Sequence, residues 1–290
     1  MEDDVRRPVL VWIHGGGLTL DGARNYDGSK IAANGTVFVT INYRLGALGF
    51  LAHPALASRP GGSAGNYGLM DQQAALRWVQ RNIAGFGGDP DNVTIAGQSA
   101  GGLSVLSHLV SRGSRGLFER AIVQSGAFAL TQQSLADAKT EGEAFAARAG
   151  CPHQNAGCLR HLPVADLVNN FPGAAIPGVV DGSVLQESIG PALAAGRFAR
   201  VPLLNGINHD EELIFLGGLG VAVSGGRFVP LPEAVTAESY ERVIAAVLGV
   251  PAARAAAIAA EYPLDAYPVP FAAFSTLVSD ANFACPAAAG

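Results

Sequence analysis

The sequence predicts an α/β protein built on a mostly parallel, doubly wound sheet with helices on both faces. Two observations carry that expectation. Short, β-branched apolar runs bounded by turn residues recur along the chain, and segments of helical period lie between several of them. A run that is apolar on both faces suits a strand covered from both sides. Strand–helix alternation is how parallel strands are connected. The composition agrees, because 290 residues with 49% hydrophobic and 15% charged side chains make a globular balance.

The runs come in order. Residues 9–13 precede Gly15-Gly16-Gly17, and residues 36–41 precede Asn42-Tyr43-Arg44. Residues 93–96 lead into Gly97, 121–123 into Ser125-Gly126, and 201–204 into Asn205-Gly206. Helices are expected at 71–82, where Ala75, Leu76 and Val79 share a face, and at 100–110, directly after the third strand. Residues 131–200 read differently, with helical pieces at 134–149 and 165–169 and a Pro/Gly-rich stretch at 171–182. This region reads as an excursion from the sheet, so residues 1–290 are taken as a single domain. Residues 236–262 predict two Ala-rich helices broken at Gly249-Val250-Pro251.

Charge and composition narrow the function classes. Nineteen Lys and Arg against 24 Asp and Glu give a net charge of -5, a poor match for a polyanion, so no nucleic-acid partner is expected. No apolar run reaches the roughly 18 residues of a membrane span. The start, Met1-Glu2-Asp3-Asp4, lacks the basic and apolar stretches of a signal peptide. Three cysteines without zinc-ligand spacing predict neither a metal nor a disulfide scaffold, and no cofactor motif is present.

Chemistry enters at Gly97-Gln98-Ser99-Ala100-Gly101, a G-x-S-x-G nucleophile elbow. A serine on a sharp strand-to-helix turn stands exposed above the sheet, and the glycines let the backbone make that turn. The motif is cheap in a chain with 37 glycines, and it recurs at Gly61-Gly62-Ser63-Ala64-Gly65. Context separates the two. Ser63 follows Arg59-Pro60 with no strand before it and reads as a loop residue, whereas Ser99 follows an apolar strand and opens an apolar helix. A serine attack creates a tetrahedral oxyanion that needs preorganised N–H donors. His14-Gly15-Gly16-Gly17 follows a strand and precedes the elbow, as an oxyanion loop does, with the Ala100 amide as the further donor.

These residues resemble the type-B carboxylesterase/lipase family, which includes the cholinesterases. So do Asn42-Tyr43-Arg44-Leu45-Gly46, Gly65-Asn66-Tyr67-Gly68-Leu69-Met70-Asp71-Gln72, Phe86-Gly87-Gly88-Asp89-Pro90, Gln124-Ser125-Gly126, Cys158-Leu159-Arg160, Gly206-Ile207-Asn208-His209-Asp210-Glu211 and Phe283-Ala284-Cys285-Pro286. The pieces run nearly the whole chain in family order. The resemblance implies an α/β-hydrolase fold and hydrolysis of small-molecule carboxylic esters through an acyl-serine. It implies Ser99 as nucleophile, Glu211 as triad acid, and Gly16, Gly17 and Ala100 as oxyanion donors. Read without the family, Asp210, Glu211 and Glu212 are equivalent; only the family register selects Glu211. Gln98 stands where the family commonly has Glu, which removes a buried charge beside the site. An amide hydrolase, or a non-catalytic binding or adhesion protein of the same fold, remains an alternative.

The triad's histidine is expected after the acid, yet the six histidines are His14, His53, His108, His153, His161 and His209, all before Glu211. His108 lies nine residues along the helix from Ser99, roughly 13 Å at 1.5 Å per residue, too far to take the serine proton. His14 reads as structural, and His53, His153 and His161 as surface or packing residues. In the family the histidine follows a strand beyond the Phe-x-Cys-Pro segment, and a longer region precedes the oxyanion strand. The chain is therefore expected to be a fragment with the general base absent and little turnover of its own.

The resemblance also supports a disulfide between Cys151 and Cys158, a small loop just before Cys-Leu-Arg, against the alternative of two buried thiols. That pairing leans towards secretion, and it leaves Cys285 unpaired. Arg44 and Asp71 stand at positions that pair in relatives, so a buried ion pair is expected. Trp78, on an apolar helix face, is expected in the core.

Overall fold

The computed structural model describes residues 6–57, 64–171, 178–218, 220–222 and 228–289. Ser63, Met1-Glu2-Asp3-Asp4 and residues 172–177 of the Pro/Gly-rich stretch lie outside them. The chain divides into two compact units, Met1–Gly206 with Ala289–Gly290, and Ile207–Ala288.

The first unit is built on five parallel strands: β1 (Arg7–Ile13), β2 (Val37–Ile41), β3 (Gly88–Gln98), β4 (Arg120–Gln124) and β5 (Leu203–Gly206). Their spatial order is β2-β1-β3-β4-β5. The chain steps from β1 outward to β2, then returns past β1 to β3 and continues the other way. The order therefore reverses between β1 and β3, and the crevice at the carboxyl ends of those two strands is the switch point where such sheets bind ligands. Ile13 of β1 pairs with Gly97 of β3. The segments that follow, His14 onward and Gln98 onward, thus leave the sheet side by side.

Central strands are buried as the apolar runs require: Val11, Ile13, Val93 and Ile95 are essentially inaccessible. Two helices fix the elbow strand. α1 (Tyr67–Asn82) starts four residues before the predicted helix and buries Leu69, Leu76 and Val79. α2 (Ala100–Val110), apolar except for Ser104, Ser107 and His108, is buried at every residue and packs on β1, β3 and β4. The last strand differs from the expectation of a covered run at 201–204. It sits at Leu203–Gly206 at the end of the sheet, paired among the described residues to β4, and Leu203 and Leu204 stay exposed.

Residues 131–200 belong to the same unit. Two-residue strands, Gln133–Ser134 and Val179–Val180, pair in parallel. α3 (Leu135–Arg148) follows, capped by Ser134 Oγ, which accepts the Asp137 N–H at 3.1 Å. Phe145, Ala146, Cys151 and Leu159 pack with Ala47 and Leu51 into one apolar cluster. Cys151 and Cys158 form the expected disulfide, with Cα atoms 5.8 Å apart, and Cys285 is free and exposed.

Two expectations are corrected. Arg44 and Asp71 do pair, bidentately, with Nε–Oδ2 at 2.7 Å and Nη2–Oδ1 at 2.8 Å, but the side chains are 51% and 29% exposed, so the pair is solvated rather than buried. Trp78 is 43% exposed and packs against Phe86, ring centres 5.6 Å apart. The buried stripe of α1 runs through Leu69, Gln72, Leu76 and Val79, which turns position 78 outward.

The second unit has its own core of Leu216, Leu231, Val235, Tyr240, Ile244, Phe274 and Leu277. The two Ala-rich helices form as α4 (Tyr240–Leu248) and α5 (Ala252–Glu261). They break where Gly249 turns left-handed (φ 64°) and Pro251 cannot continue the helix. Gly220–Ala222 and Phe228–Pro230 pair antiparallel. No single helix among the described residues is long and apolar enough to cross a membrane.

Candidate active site

Ser99 occupies the turn between β3 and α2, with φ 55° and ψ −125°. A residue with a Cβ adopts that backbone only at a cost, and such strain persists where the surroundings over-determine it. They do so here. Ser99 N–H donates to the Gln124 carbonyl at 2.8 Å, and the Ser99 carbonyl accepts the Leu103 N–H at 2.9 Å. A Cβ on Gly97 would stand 2.4 Å from the Gly101 carbonyl carbon, and one on Gly101 would stand 2.0 Å from the Ile13 oxygen. Only glycines allow strand and helix to approach this closely. Ser99 itself is half-buried, and its hydroxyl does not cap the helix.

The glycine turn lies against this elbow. A Cβ on Gly15 would be 2.8 Å from the Gln98 carbonyl oxygen and 3.2 Å from Ser99 Cβ. Gly16 and Gly17 are left-handed, and the Gly16 carbonyl accepts both the Thr19 and Leu20 N–H groups at 3.0 Å. Gly46 N–H donates to the Leu18 carbonyl at 2.8 Å and ties the turn to the segment after β2. The Ala100 amide belongs to the first turn of α2, whose N–H groups have no intrahelical acceptor and lie at the positive end of the helix. The structure thus sets the Gly15 backbone against Ser99 at the ends of neighbouring strands, with Gly16 and Gly17 next along the same turn and Ala100 next after the serine.

His14, His53 and His108 are buried, and the other three histidines are exposed. His14 is buried; its Nδ1 lies 3.0 Å from the Gly15 oxygen, its ring stacks on Tyr43 at 4.4 Å, and Tyr43 Oη donates to its carbonyl at 2.8 Å. Burial lowers the His14 imidazole below its ordinary range, partly offset by the Gly15 oxygen, and burial raises the Tyr43 phenol. His108 is buried within α2, with Nε2 2.8 Å from Gln72 Oε1 and Nδ1 2.9 Å from Ser114 Oγ, and desolvation pushes it down to about 4. His53 is buried, with Nε2 2.8 Å from Gln154 Oε1 and Nδ1 accepting the Ala55 N–H at 3.0 Å. His153, His161 and His209 are exposed.

Glu211 belongs to the second unit and is described within it. It is buried, and its Oε1 accepts the Asn208 N–H at 2.6 Å. Its neighbours differ from it, although sequence chemistry left the three equivalent. Asp210 is exposed and lies 3.0 Å from His209. Glu212 is buried, accepts Asn282 Nδ2 at 2.7 Å, and gives its N–H to Ser279 Oγ at 3.0 Å. No group of three His, Cys, Asp or Glu suited to a metal occurs among the described residues. Sequence reading missed Asp21 and Tyr26, which sit beside the glycine turn. The only signal was that aspartate tolerates left-handed backbone better than most residues.

An elbow serine at the switch point of a parallel sheet, with a glycine turn pressed against it, defines an α/β-hydrolase. Comparison narrows the class: the model of the Carboxylesterase family matches residues 1–288, and the chain belongs to that family. It is 45% identical over 215 residues to a pyrethroid hydrolase of Rattus norvegicus, covering 72% of this chain and 37% of the relative. It is 40% identical over 243 residues to an acylcarnitine hydrolase of Mus musculus, covering 82% and 41% respectively. Cocaine esterase of Homo sapiens is 44% identical over 210 residues, covering 70% and 37%. The chain thus spans about two fifths of the length of these relatives.

Proposed function

We propose that this chain carries the nucleophile and oxyanion donors of a carboxylic ester hydrolase acting through an acyl-serine. The observation that carries the reading is the approach of the Gly15 backbone to Ser99 Cβ, 3.2 Å from where a side chain would begin. That contact, at the base of the serine side chain, supports an oxyanion role for the glycine turn. A role in binding alone makes no use of it.

In the proposed reaction Ser99 Oγ attacks the ester carbonyl. The Gly16, Gly17 and Ala100 amides receive the negative oxygen of the tetrahedral intermediate. Collapse breaks the bond to the alcohol, which leaves with the proton that the Ser99 hydroxyl gives up, and the acyl group stays on Ser99 until water hydrolyses it to the carboxylic acid. One such donor typically contributes about 2.7–4 kcal/mol to the transition state. Glu211 is assigned as the triad acid from the family's motif register, and its burial and the Asn208 amide suit a fixed carboxylate. None of the six histidines follows Glu211, so the imidazole of the triad is not assigned within this chain. The relatives are named for pyrethroid, acylcarnitine and cocaine, all carboxylic esters, which supports a small-molecule ester as substrate. The two units are read as parts of one hydrolase domain.

The test is acylation rather than turnover. With the oxyanion donors and binding alone, roughly 10³–10⁴-fold acceleration over water survives loss of a triad member. The chain is incubated with p-nitrophenyl butyrate, and the butyryl group is located by peptide mass spectrometry. The expected result is butyrylation at Ser99 well ahead of every other serine, absent in Ser99→Ala. Butyrylation spread evenly, or unchanged by unfolding in urea, overturns the reading.

A further inference from the structure

Between the glycine turn and Tyr26 the chain is left-handed four times, with φ 86° at Gly16, 62° at Gly17, 60° at Leu18 and 84° at Asp21. Two of these residues carry a Cβ and adopt that backbone only where something holds them there. For Asp21 the holding groups are visible. Its Oδ1 accepts the Gly22 N–H at 2.7 Å and Asn25 Nδ2 at 2.6 Å, and its Oδ2 accepts Tyr26 Oη at 2.7 Å. One carboxylate therefore closes the loop on itself through three donors.

The clamp sits directly under a proposed oxyanion donor. A Cβ on Gly16 would stand 2.9 Å from Asp21 Cβ and 2.3 Å from the Leu20 oxygen, so Asp21 packs against the Gly16 backbone. Tyr26 extends the contact. Its ring lies 5.4 Å from that of Trp12 on β1. Its phenol is raised by burial and by the Asp21 hydrogen bond, with the Gly15 amide opposing the rise. The Asp21 carboxyl is held below its ordinary range, first by Tyr26 and then by Asn25. On the elbow side, Gln98 Oε1 stands 3.1 Å from where a Gly15 side chain would begin, so an amide rather than a carboxylate meets the turn there. The negative charge nearest the glycine turn among these groups is thus Asp21, on the turn's own loop.

We propose that Asp21 is a positioning residue for the oxyanion donors: its carboxylate holds the left-handed turn closed, so that the Gly16 and Gly17 amides keep one orientation toward Ser99. The proposal rests on the assignment of Ser99 and this turn as the reacting site. Asp21 touches no reacting atom; it acts through Gly16. Left-handed backbone costs glycine nothing, so Asp21→Gly keeps the chain path and removes only the clamp. Asp21→Asn keeps the side chain's size and its acceptor oxygen and is the conservative control.

Two measurements on the full chain test this. Hydrogen exchange is followed in the peptide covering residues 14–22. Butyrylation of Ser99 is followed against p-nitrophenyl butyrate concentration. In Asp21→Gly, exchange of that peptide accelerates while α2 stays protected. The limiting acylation rate falls roughly ten- to a hundredfold with an unchanged half-saturating concentration. Asp21→Asn recovers most of both. Unchanged exchange and rate in Asp21→Gly overturn the proposal, as does a higher half-saturating concentration at an unchanged limiting rate, which makes Asp21 a substrate contact. If Ser99 of the unaltered chain is not acylated, the esterase reading fails by itself, and the exchange comparison still decides whether Asp21 holds the turn.

Discussion

His108 makes the first unit sensitive to acid, and the size of the effect follows from its surroundings. The imidazole is fully buried in α2, nine residues along from Ser99. Gln72 Oε1 can only accept, so Nε2 carries the proton; Nδ1 then accepts from the Ser114 hydroxyl. Gln73 Nε2 donates to Ser114 Oγ at 3.1 Å and to Ser111 Oγ at 2.9 Å, which completes a satisfied, neutral network. Charging the ring there lacks any compensating anion among these partners, and desolvation drops it from an ordinary 6.5 to about 4. The folded value lies below the unfolded one. The contribution of the group to stability is therefore complete above pH 6.5 and is lost as pH falls towards 4, because the unfolded chain takes up the proton first. At ~1.36 kcal/mol per pH unit the loss totals about 3 kcal/mol across that window. Urea unfolding between pH 4 and 7.5 measures it. Both tryptophans, Trp12 and Trp78, belong to the first unit and report on it. His108→Gln is less stable near neutrality but does not titrate there, so its stability falls more gently with acid; carboxylates common to both proteins cancel in the difference. Parallel curves for the two proteins would refute the reasoning.

Three further outcomes follow from the geometry. Gly101→Ala puts a methyl 2.0 Å from the Ile13 oxygen and 2.7 Å from that of His14, so it abolishes Ser99 butyrylation and destabilises the first unit by about 1–3 kcal/mol in urea. Replacing Cys151 and Cys158 together by Ala opens a loop with a sequence separation of 7, which the chain-entropy picture values at about 2–3 kcal/mol in the same titration. A double-mutant cycle between Arg44→Ala and Asp71→Ala gives a coupling of at most about 1 kcal/mol that shrinks in high salt, because the pair is solvated; 3 kcal/mol or more would mean that water does not reach it.

Much of this architecture is legible because it depends on local rules. Residues 93–98 announce a strand and a turn by their own apolar run and glycines, and the register of β1 with β3 then places the glycine loop beside Ser99 without further information. The helix at Ala100–Val110 is legible to the residue, since it is predominantly apolar and begins directly at the elbow. What was not legible depends on neighbours distant in sequence. Whether Leu203 and Leu204 are covered is decided by sheet order, which a strand pattern does not contain. Trp78 has the apolar neighbours of a core residue, yet it lies off the buried stripe. The exposure of Arg44 and Asp71 depends on what packs around them, which the pairing alone does not reveal. Asp210, Glu211 and Glu212 look alike as letters and diverge through burial and through partners such as Asn208, Ser279 and Asn282. Asp21 reads as an ordinary loop acid until its backbone angle is known.

The two sides of the proposed site are held by different forces, and they should fail differently. The serine side is anchored in the core: α2 has no exposed residue, and its polar side chains Ser104, Ser107 and His108 all have buried partners. Moving Ser99 therefore means disturbing well-packed apolar contacts, which yield only together with the unit. The donor side is anchored by a half-exposed polar cluster, Asp21 with Asn25 and Tyr26, whose hydrogen bonds compete with water one at a time. Mild denaturant should then loosen the glycine turn before it loosens the elbow. Butyrylation of Ser99 should fall at urea concentrations that leave tryptophan fluorescence unchanged. If activity and fluorescence are instead lost together, the turn is held by the core, and the polar cluster contributes nothing of its own.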